Sequence, residues 1–328
     1  MGLVCVVPKN LKCCLGQRMV LLRPNHNAVE TGYLLYALMS EAFQRSISIA
    51  GGTGSTVSNL RIPVLTGLQI PAPPLLEQRA IAEALSDVDG LLAALDRLIA
   101  KKRDLKQAAM QQLLTGQTRL PGFHDEWEVK RLGELGSFLK GSGVKKDEAQ
   151  SGHLPCIRYG EIYTRHHDYI KEFQSFVSQK VAATACRLKQ GDLLFAGSGE
   201  TKEEIGKCVA FVDEFEAYAG GDIVILRPQG VDSLFLGFCL NAPPVSRQKA
   251  SRGQGDAVVH IGAGALADVS LPLPPLPEQT AIAEVLSDLD AELAALEQRR
   301  DKTRLLKQAM MQELLTGRTR LVPPGGRE

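Results

Sequence analysis

The sequence predicts an α+β (mixed α/β) fold in which globular domains are joined by two long helices that pair as an antiparallel coiled coil. Three observations predict it. First, the stretch Ile70 to Leu120 recurs without gaps as Leu271 to Leu321, with 33 of 51 positions identical at an offset of 201 residues. Second, each copy carries apolar residues at steps of four and three over many turns, the spacing of a coiled-coil seam. Third, the intervening block holds short apolar runs between glycines and prolines, which read as strands. A repeat of this length fixes the architecture before any residue is read for chemistry.

The chain divides into residues 1–69, an incomplete mixed domain; 70–120, the first long helix; 121–270, a complete mixed domain; 271–321, the second long helix; and a 322–328 tail. The similarity runs upstream: Val20–Pro24 matches Val224–Pro228, Gly54–Leu60 matches Gly255–Ile261, and Gly2 falls opposite Gly206. Nothing stands opposite Glu126 to Ile205, so residues 1–69 are expected to hold only the distal part of a domain, with Leu3 to Leu22 short of strands to pair with. Two explanations fit, a start codon further upstream or a truncated form, two copies of which could pair through their long helices.

Pro71 to Pro74 and Pro272 to Pro275 prevent each helix from extending backwards, and Thr115-Gly116 and Thr316-Gly317 stop it. About forty residues at about 1.5 Å each make a rod of roughly 60 Å. The first seam is Ile81, Leu85, Val88, Leu92, Leu95 and Ile99; the second is Ile282, Leu286, Leu289, Leu293 and Leu296. Either the stripes face each other or each packs on its own globular domain. Between the rods, Asp192–Ala196 and Ile223–Leu226 read as strands and Leu234–Leu240 as a short helix.

Composition narrows the function. The chain has 328 residues, 44% of them hydrophobic, enough for a core in each of two domains. Net charge is +1, so a nucleic-acid contact must be a local patch. No apolar run near Met1 suits a signal or a span, which predicts a soluble, cytoplasmic protein away from membranes. Cys5, Cys13, Cys14, Cys156, Cys186, Cys208 and Cys239 form an odd set without a C-x-x-C pair, which suits reduced thiols buried as small apolar residues; a metal held by Cys13, Cys14 and His26 is the weaker reading. No metal site is expected.

Several catalytic signatures come close and fall short. Asn241-Ala242-Pro243-Pro244 has an extra alanine, and Val245 replaces the aromatic of an amino-methyltransferase loop, so it reads as a loop after a helix. Asp192, Glu200 and Lys202 imitate the metal set of a Mg²⁺ nuclease at tight spacing. Gly262–Ala267 fits G-x-G-x-x-A but leads into Pro272, which makes it a turn. No G-x-x-x-x-G-K-[ST] loop occurs. No catalytic residue is expected.

A binding inventory remains. Lys140, Ser142, Lys145 and Lys146 lie in a glycine-containing basic loop that reads as flexible and able to follow phosphates; Arg158, Tyr159, Arg165, His166 and His167 mix cations with hydrogen-bonding groups; Ser198 and Lys202 lie in the next polar loop. The stretch Ser246 to Gly255 carries Arg247, Lys249, Arg252 and Gln254, three cations and no acid, and is the foremost phosphate-contact candidate. The block Glu126 to Ser270 has 17 Lys+Arg against 19 Asp+Glu, so affinity needs a focused field or a partner.

Pro274-Pro275-Leu276-Pro277-Glu278-Gln279, Ala281-Ile282-Ala283 and the terminal Leu314-Leu315-Thr316-Gly317 resemble the repeated helical region of specificity (S) subunits of type I restriction-modification systems. Pro73–Gln78 with Ala80-Ile81-Ala82 resembles it equally, and Ile157–Ile162 and Gly191–Leu194 are similar to segments of the family's target recognition domains. The resemblance implies a non-catalytic subunit whose recognition domains read a bipartite site on double-stranded DNA. It further implies modification (methyltransferase) and restriction (translocase and nuclease) subunits as partners, which would carry S-adenosylmethionine, ATP and Mg²⁺, with no cofactor on this chain. A protein-binding coiled-coil scaffold, or a nuclease using Asp192, Glu200 and Lys202, are the alternatives.

Overall fold

A computed structural model of the chain describes residues 3–8, 10–17, 19–50, 62–255 and 258–322. It divides into two units, residues 1–101 with 293–328, and residues 102–292. Helices α1 (Thr31–Met39), α2 (Glu41–Ala50) and α3 (Ile62–Gly67) precede the long helix α4 (Leu75–Leu113). Then follow β1 (Glu128–Arg131), α5 (Leu132–Leu135), β2 (Gly136–Lys140), β3 (Leu154–Ile157), α6 (Tyr159–Thr164), β4 (Ser175–Val177), α7 (Gln179–Ala182), β5 (Cys186–Arg187), β6 (Leu193–Ala196), β7 (Ser198–Gly199), β8 (Cys208–Ala210), β9 (Tyr218–Ala219) and β10 (Ile223–Pro228). The chain closes with α8 (Ser233–Asn241), α9 (Pro243–Arg252), β11 (Val259–His260), α10 (Ala263–Ala267), β12 (Ser270–Leu273) and the second long helix, α11 (Leu276–Leu314).

In the first unit, Glu30 caps α1 by accepting from the Tyr33 amide, and Tyr33, Tyr36 and Ala37 pack on Ile81, Ala82, Leu85, Leu314 and Leu315. Asp89 pairs with Lys307 at 2.6 Å and Asp96 with Arg300 at 3.9 Å, so within this unit α4 and α11 run antiparallel. Leu95 and Ile99 are buried, whereas Val88, Leu92 and Leu296 are half-buried. Val20–Pro24, the counterpart of residues in β10, forms no strand, and no strand forms among the described residues of 3–22, which leave Leu3, Leu11, Met19 and Leu21 exposed. Gly2 and Gly54–Leu60, which carry other parts of the repeat, lie outside the described residues.

The second unit is built on an antiparallel sheet of order β2-β10-β6-β8. It is buried on both faces, which is why its strands read as continuous apolar runs rather than alternating ones. Leu193, Phe195, Val224 and Leu226 join Phe235, Leu236 and Phe238 of α8 on one face; Leu194, Ala196, Ile223 and Ile225 join Ile157 and Ile162 on the other. A second, mixed sheet has the order β4-β3-β9-β5, and β1-β12 and β7-β11 form two-stranded ladders. Within this unit Lys102 pairs with Glu292 and Lys106 with Asp290, each at 2.7 Å, again antiparallel. Ile282 and Leu286 pack on Leu113 and Leu114, with Leu289 half-buried against the same core. In each unit the end of a seam is thus shared between the partner helix and the adjoining domain, a combination of the two expected alternatives.

Three local expectations change. Asn241–Pro244 is a corner between helices: Ala242 is at once the C-cap of α8 and the N-cap of α9, and Pro243 needs no amide partner at the first helical turn. Gly262–Ala267 is the N-cap and body of the five-residue α10 rather than a turn. Cys5, Cys13 and Cys14 are exposed rather than buried, while Cys156, Cys208 and Cys239 are buried; no metal-binding cluster occurs among the described residues. No described helix is long and apolar enough to cross a membrane.

Candidate nucleic-acid interface

Strand register gathers one group of polar residues at one end of the four-stranded sheet. Lys140 ends β2 opposite Val224, and Ala196 ends β6 opposite Ile223, so β2 and β6 finish where β10 begins. Ile157 ends β3 opposite Ala219, and the Gly220 amide donates to the Ile157 carbonyl, which brings Arg158 and Tyr159 to the same end. From Ala196 the chain turns through Gly197 into β7, whose Ser198 pairs with His260 of β11. The rim therefore comprises residues 140–146, 158–159, 198–202, 219–222, Gln254 and His260.

This rim is rigid. The basic loop, expected to be flexible, is pinned: the Ser142 hydroxyl donates to the Thr184 carbonyl, the Gly221 amide donates to Gly143, and Val144 is buried. A Cβ at Gly141 would stand 2.0 Å from the Gly220 carbonyl oxygen, so only glycine allows the two turns to meet. Val144 (φ 56°) and Asp222 (φ 58°) both adopt the left-handed region, which is costly for a β-branched residue. Lys140, Lys145 and Lys146 point outward from this scaffold, as do Lys202 and Gln254.

Other predicted residues lie elsewhere. Arg165 and His167 are exposed, but they follow the far end of α6. There Asp168 (φ 54°) accepts from Asn241 at 3.1 Å and faces Lys106 at 3.4 Å, and Lys106 also meets Asp290, which fastens this loop to both long helices within the unit. His166 is buried; desolvation, reinforced by Lys207, pushes its imidazole down to about 4, so it carries no charge to offer a phosphate. Ser198 is buried with its hydroxyl on His260.

The Arg247, Lys249, Arg252 patch needs correction. All three cations lie on α9, which ends at Arg252. Lys249 is 1% exposed, and burial lowers its ammonium to about 8. The Arg252 guanidinium is folded back onto the Gln248 and Asp268 carbonyls. Arg247 alone of the three cations remains exposed. Asp192 is likewise withdrawn from the nuclease reading: it is buried, both carboxylate oxygens accept from Arg227 at 2.8 Å, and one also accepts from the Lys189 amide, so it is committed before any cation arrives. Glu200 and Lys202 are exposed in the loop at the opposite end of β6.

The repeated Pro-Pro-Leu-x-Glu-Gln motif has a structural task that spacing alone did not disclose. In the second unit Glu278 is buried and receives two bonds from Arg119, both at 2.5 Å, and one from the Trp127 indole at 3.0 Å. Gln279 donates to the Pro274 carbonyl and accepts from the Asp232 amide, the N-cap of α8. In the first unit Glu77 pairs with Arg320, and Gln78 joins the Pro73 carbonyl to the Glu30 amide, the N-cap of α1. Each Glu-Gln pair ties the start of one long helix to the Thr-Arg segment following the other and to the cap of a domain helix.

His260 was missed. A polar residue closing the run Val258-Val259 was the available sign. Gly255 adopts φ +108°, and its neighbour Gln254 exchanges two backbone bonds with His260, at 2.8 and 2.9 Å.

The comparisons with known proteins agree with one another. The family model described as type I restriction modification DNA specificity domain matches residues 1–102 and 124–305. The type I restriction enzyme MjaVIII specificity subunit of Methanocaldococcus jannaschii is 25% identical over 333 aligned residues, covering 94% of this chain and 75% of that protein. The S subunit of a type I restriction-modification system from M. genitalium has a similar fold, with a TM-score of 0.58 at 18% identity over 88% of this chain and 73% of that one. The HsdS subunit from Thermoanaerobacter tengcongensis gives 0.50 at 21% identity, over 91% and 73%.

Proposed function

Because this chain belongs to the family of type I restriction modification DNA specificity domains and is the DNA sequence-specificity subunit of such a system, we propose that its 102–292 unit reads one half of a bipartite duplex site through the rim of the four-stranded sheet. The observation that carries this reading is the convergence of Lys140, Lys145, Lys146, Arg158, Tyr159, Lys202 and Gln254 at one end of that sheet. The lysines contact phosphates and fix register; side chains on the pinned turns and the β7-β11 ladder address base edges. A pre-formed rim loses little entropy on binding, which compensates for a block that is not basic overall. The chain itself performs no chemistry. Methyl transfer from S-adenosylmethionine belongs to modification subunits, and ATP- and Mg²⁺-dependent translocation and cleavage to a restriction subunit, all assembled on the same specificity subunit.

The test is binding by the full chain assembled with its modification subunits. Replacing Lys140, Lys145 and Lys146 by alanine is expected to weaken binding to all sequences alike and to reduce the slope of log K against log salt by about 0.9 for each phosphate no longer neutralised. The Arg252→Ala change is expected to leave both unaltered. An unchanged slope in the triple variant would remove the rim from the interface.

A further inference from the structure

We infer that His260 is a specificity-determining residue, whose Nε2–H reads a base that presents a hydrogen-bond acceptor in the major groove, guanine foremost. This rests on the DNA-reading role proposed for the rim. The Ser198 hydroxyl and His260 Nδ1 lie 2.9 Å apart across the β7-β11 ladder. Ser198 is buried, and among the described residues its hydroxyl has this one partner, so its proton is satisfied only by donating to Nδ1. The reverse arrangement would strand a buried hydroxyl proton. With Nδ1 accepting, the ring proton resides on Nε2, and the exposed edge of the imidazole is a donor.

The ring is also held in place. The His260 backbone exchanges paired amide and carbonyl bonds with Gln254, and on its other side it stands opposite Ser198 in the ladder, next to the bond from the Ile261 amide to the Gly197 carbonyl. Beneath it, Val259 is buried, and Gly199 passes so near Tyr163 that a Cβ would stand 2.7 Å from its hydroxyl oxygen. A donor of fixed direction on a rigid two-stranded ribbon is what base readout requires, whereas a phosphate contact needs no such fixed tautomer. Guanine offers N7 and O6 as adjacent acceptors, so it is the base best matched to a single donor. Lys140 and Lys202 on the same rim supply the sequence-independent attraction that brings the ribbon to the groove.

The experiment selects bound sequences from a random duplex library, using the full chain assembled with its modification subunits. The wild-type complex is expected to enrich a defined site, and His260→Ala to enrich that site with one guanine position relaxed by about tenfold while the other half-site and the spacer stay the same. Ser198→Ala, which frees the ring to take either tautomer, is expected to relax the same position. His260 is itself exposed, but His260→Ala leaves the buried Ser198 hydroxyl without its partner and should melt somewhat below the wild type; selection well below both melting temperatures keeps the test decisive if Ser198→Ala folds poorly. An identical enriched site for His260→Ala, or a uniform loss of affinity with unchanged preference, would overturn the inference and leave the specificity role intact. Failure of the wild-type complex to enrich any sequence would defeat the specificity role and the inference together.

Discussion

The ammonium nitrogen of Lys249 lies 2.6 Å from the carbonyl oxygen of Gly206, its single hydrogen-bond acceptor among the described residues. An ammonium with three donors and one acceptor in a buried pocket with Cys208 and Cys239 is poorly compensated, and burial lowers it from 10.5 to about 8. The caps Glu30 and Ser40 of α1 correspond to the caps Asp232 and Ala242 of α8, and the same register places Ile47 opposite Lys249. Ile47 is also buried.

Lys249→Met is therefore expected to preserve DNA binding and to raise stability by about 1–3 kcal/mol, the upper end being the free energy of the pKa displacement. The unfolded chain keeps this proton up to about 10.5 and the folded chain only to about 8, so wild-type stability from this group rises with pH across that window and is flat below it. The gap between variant and wild type should be widest below pH 8 and narrow toward 10.5. Paired thermal melts at pH 7 and pH 10 measure it; a gap that widens with pH would refute the sign.

Gly90 sits inside α4 with nothing near the place a Cβ would occupy, and the repeat has Ala291 at the same position. Gly90→Ala should stabilise the chain by about 0.5–1 kcal/mol, the helix-interior difference between the two residues, with the selected DNA site unchanged. Denaturant melts analysed for midpoint at constant slope test this.

Arg119→Met strands the buried carboxylate of Glu278, so it should lower the melting temperature more than any exposed Arg→Met change, Arg165→Met for instance. Adding Glu278→Gln should recover more than half of the loss, since an amide no longer needs a cation. A double variant no better than the single one would show that Arg119 acts through packing on Trp127, which it covers at 5.4 Å, rather than through charge.

Much of the frame was legible in the sequence. The limits of both long helices follow from their prolines and from Gly116 and Gly317, which adopt φ +70° and +74°. The runs around Leu193 and Ile223 are strands because four consecutive apolar residues suit a sheet covered on both faces. What escaped was the direction of polar side chains. In Ser246–Arg252 the helical period puts Lys249 on the same face as Val245, toward the core, while Arg247 points away; composition counts three cations, but geometry offers one. Ile47 in the other copy was the sign that this position faces inward. The rim escaped for a different reason: residues 140, 158, 198 and 260 meet only through strand pairing between segments far apart in the chain, and no local pattern encodes that register.

The ladder of β1 with β12, in which Glu128 faces Leu273 and Arg131 faces Ser270, means that the chain enters and leaves the intervening domain side by side. Such a domain is topologically a cassette. A replacement needs only to end in two strands able to make the same ladder, and it can be as long or as different inside as its own task demands. Under the proposed function, site preference and assembly are thereby separable: the block between Glu128 and Leu273 would carry the first, and the helices that flank it, with their Glu-Gln ties, the second.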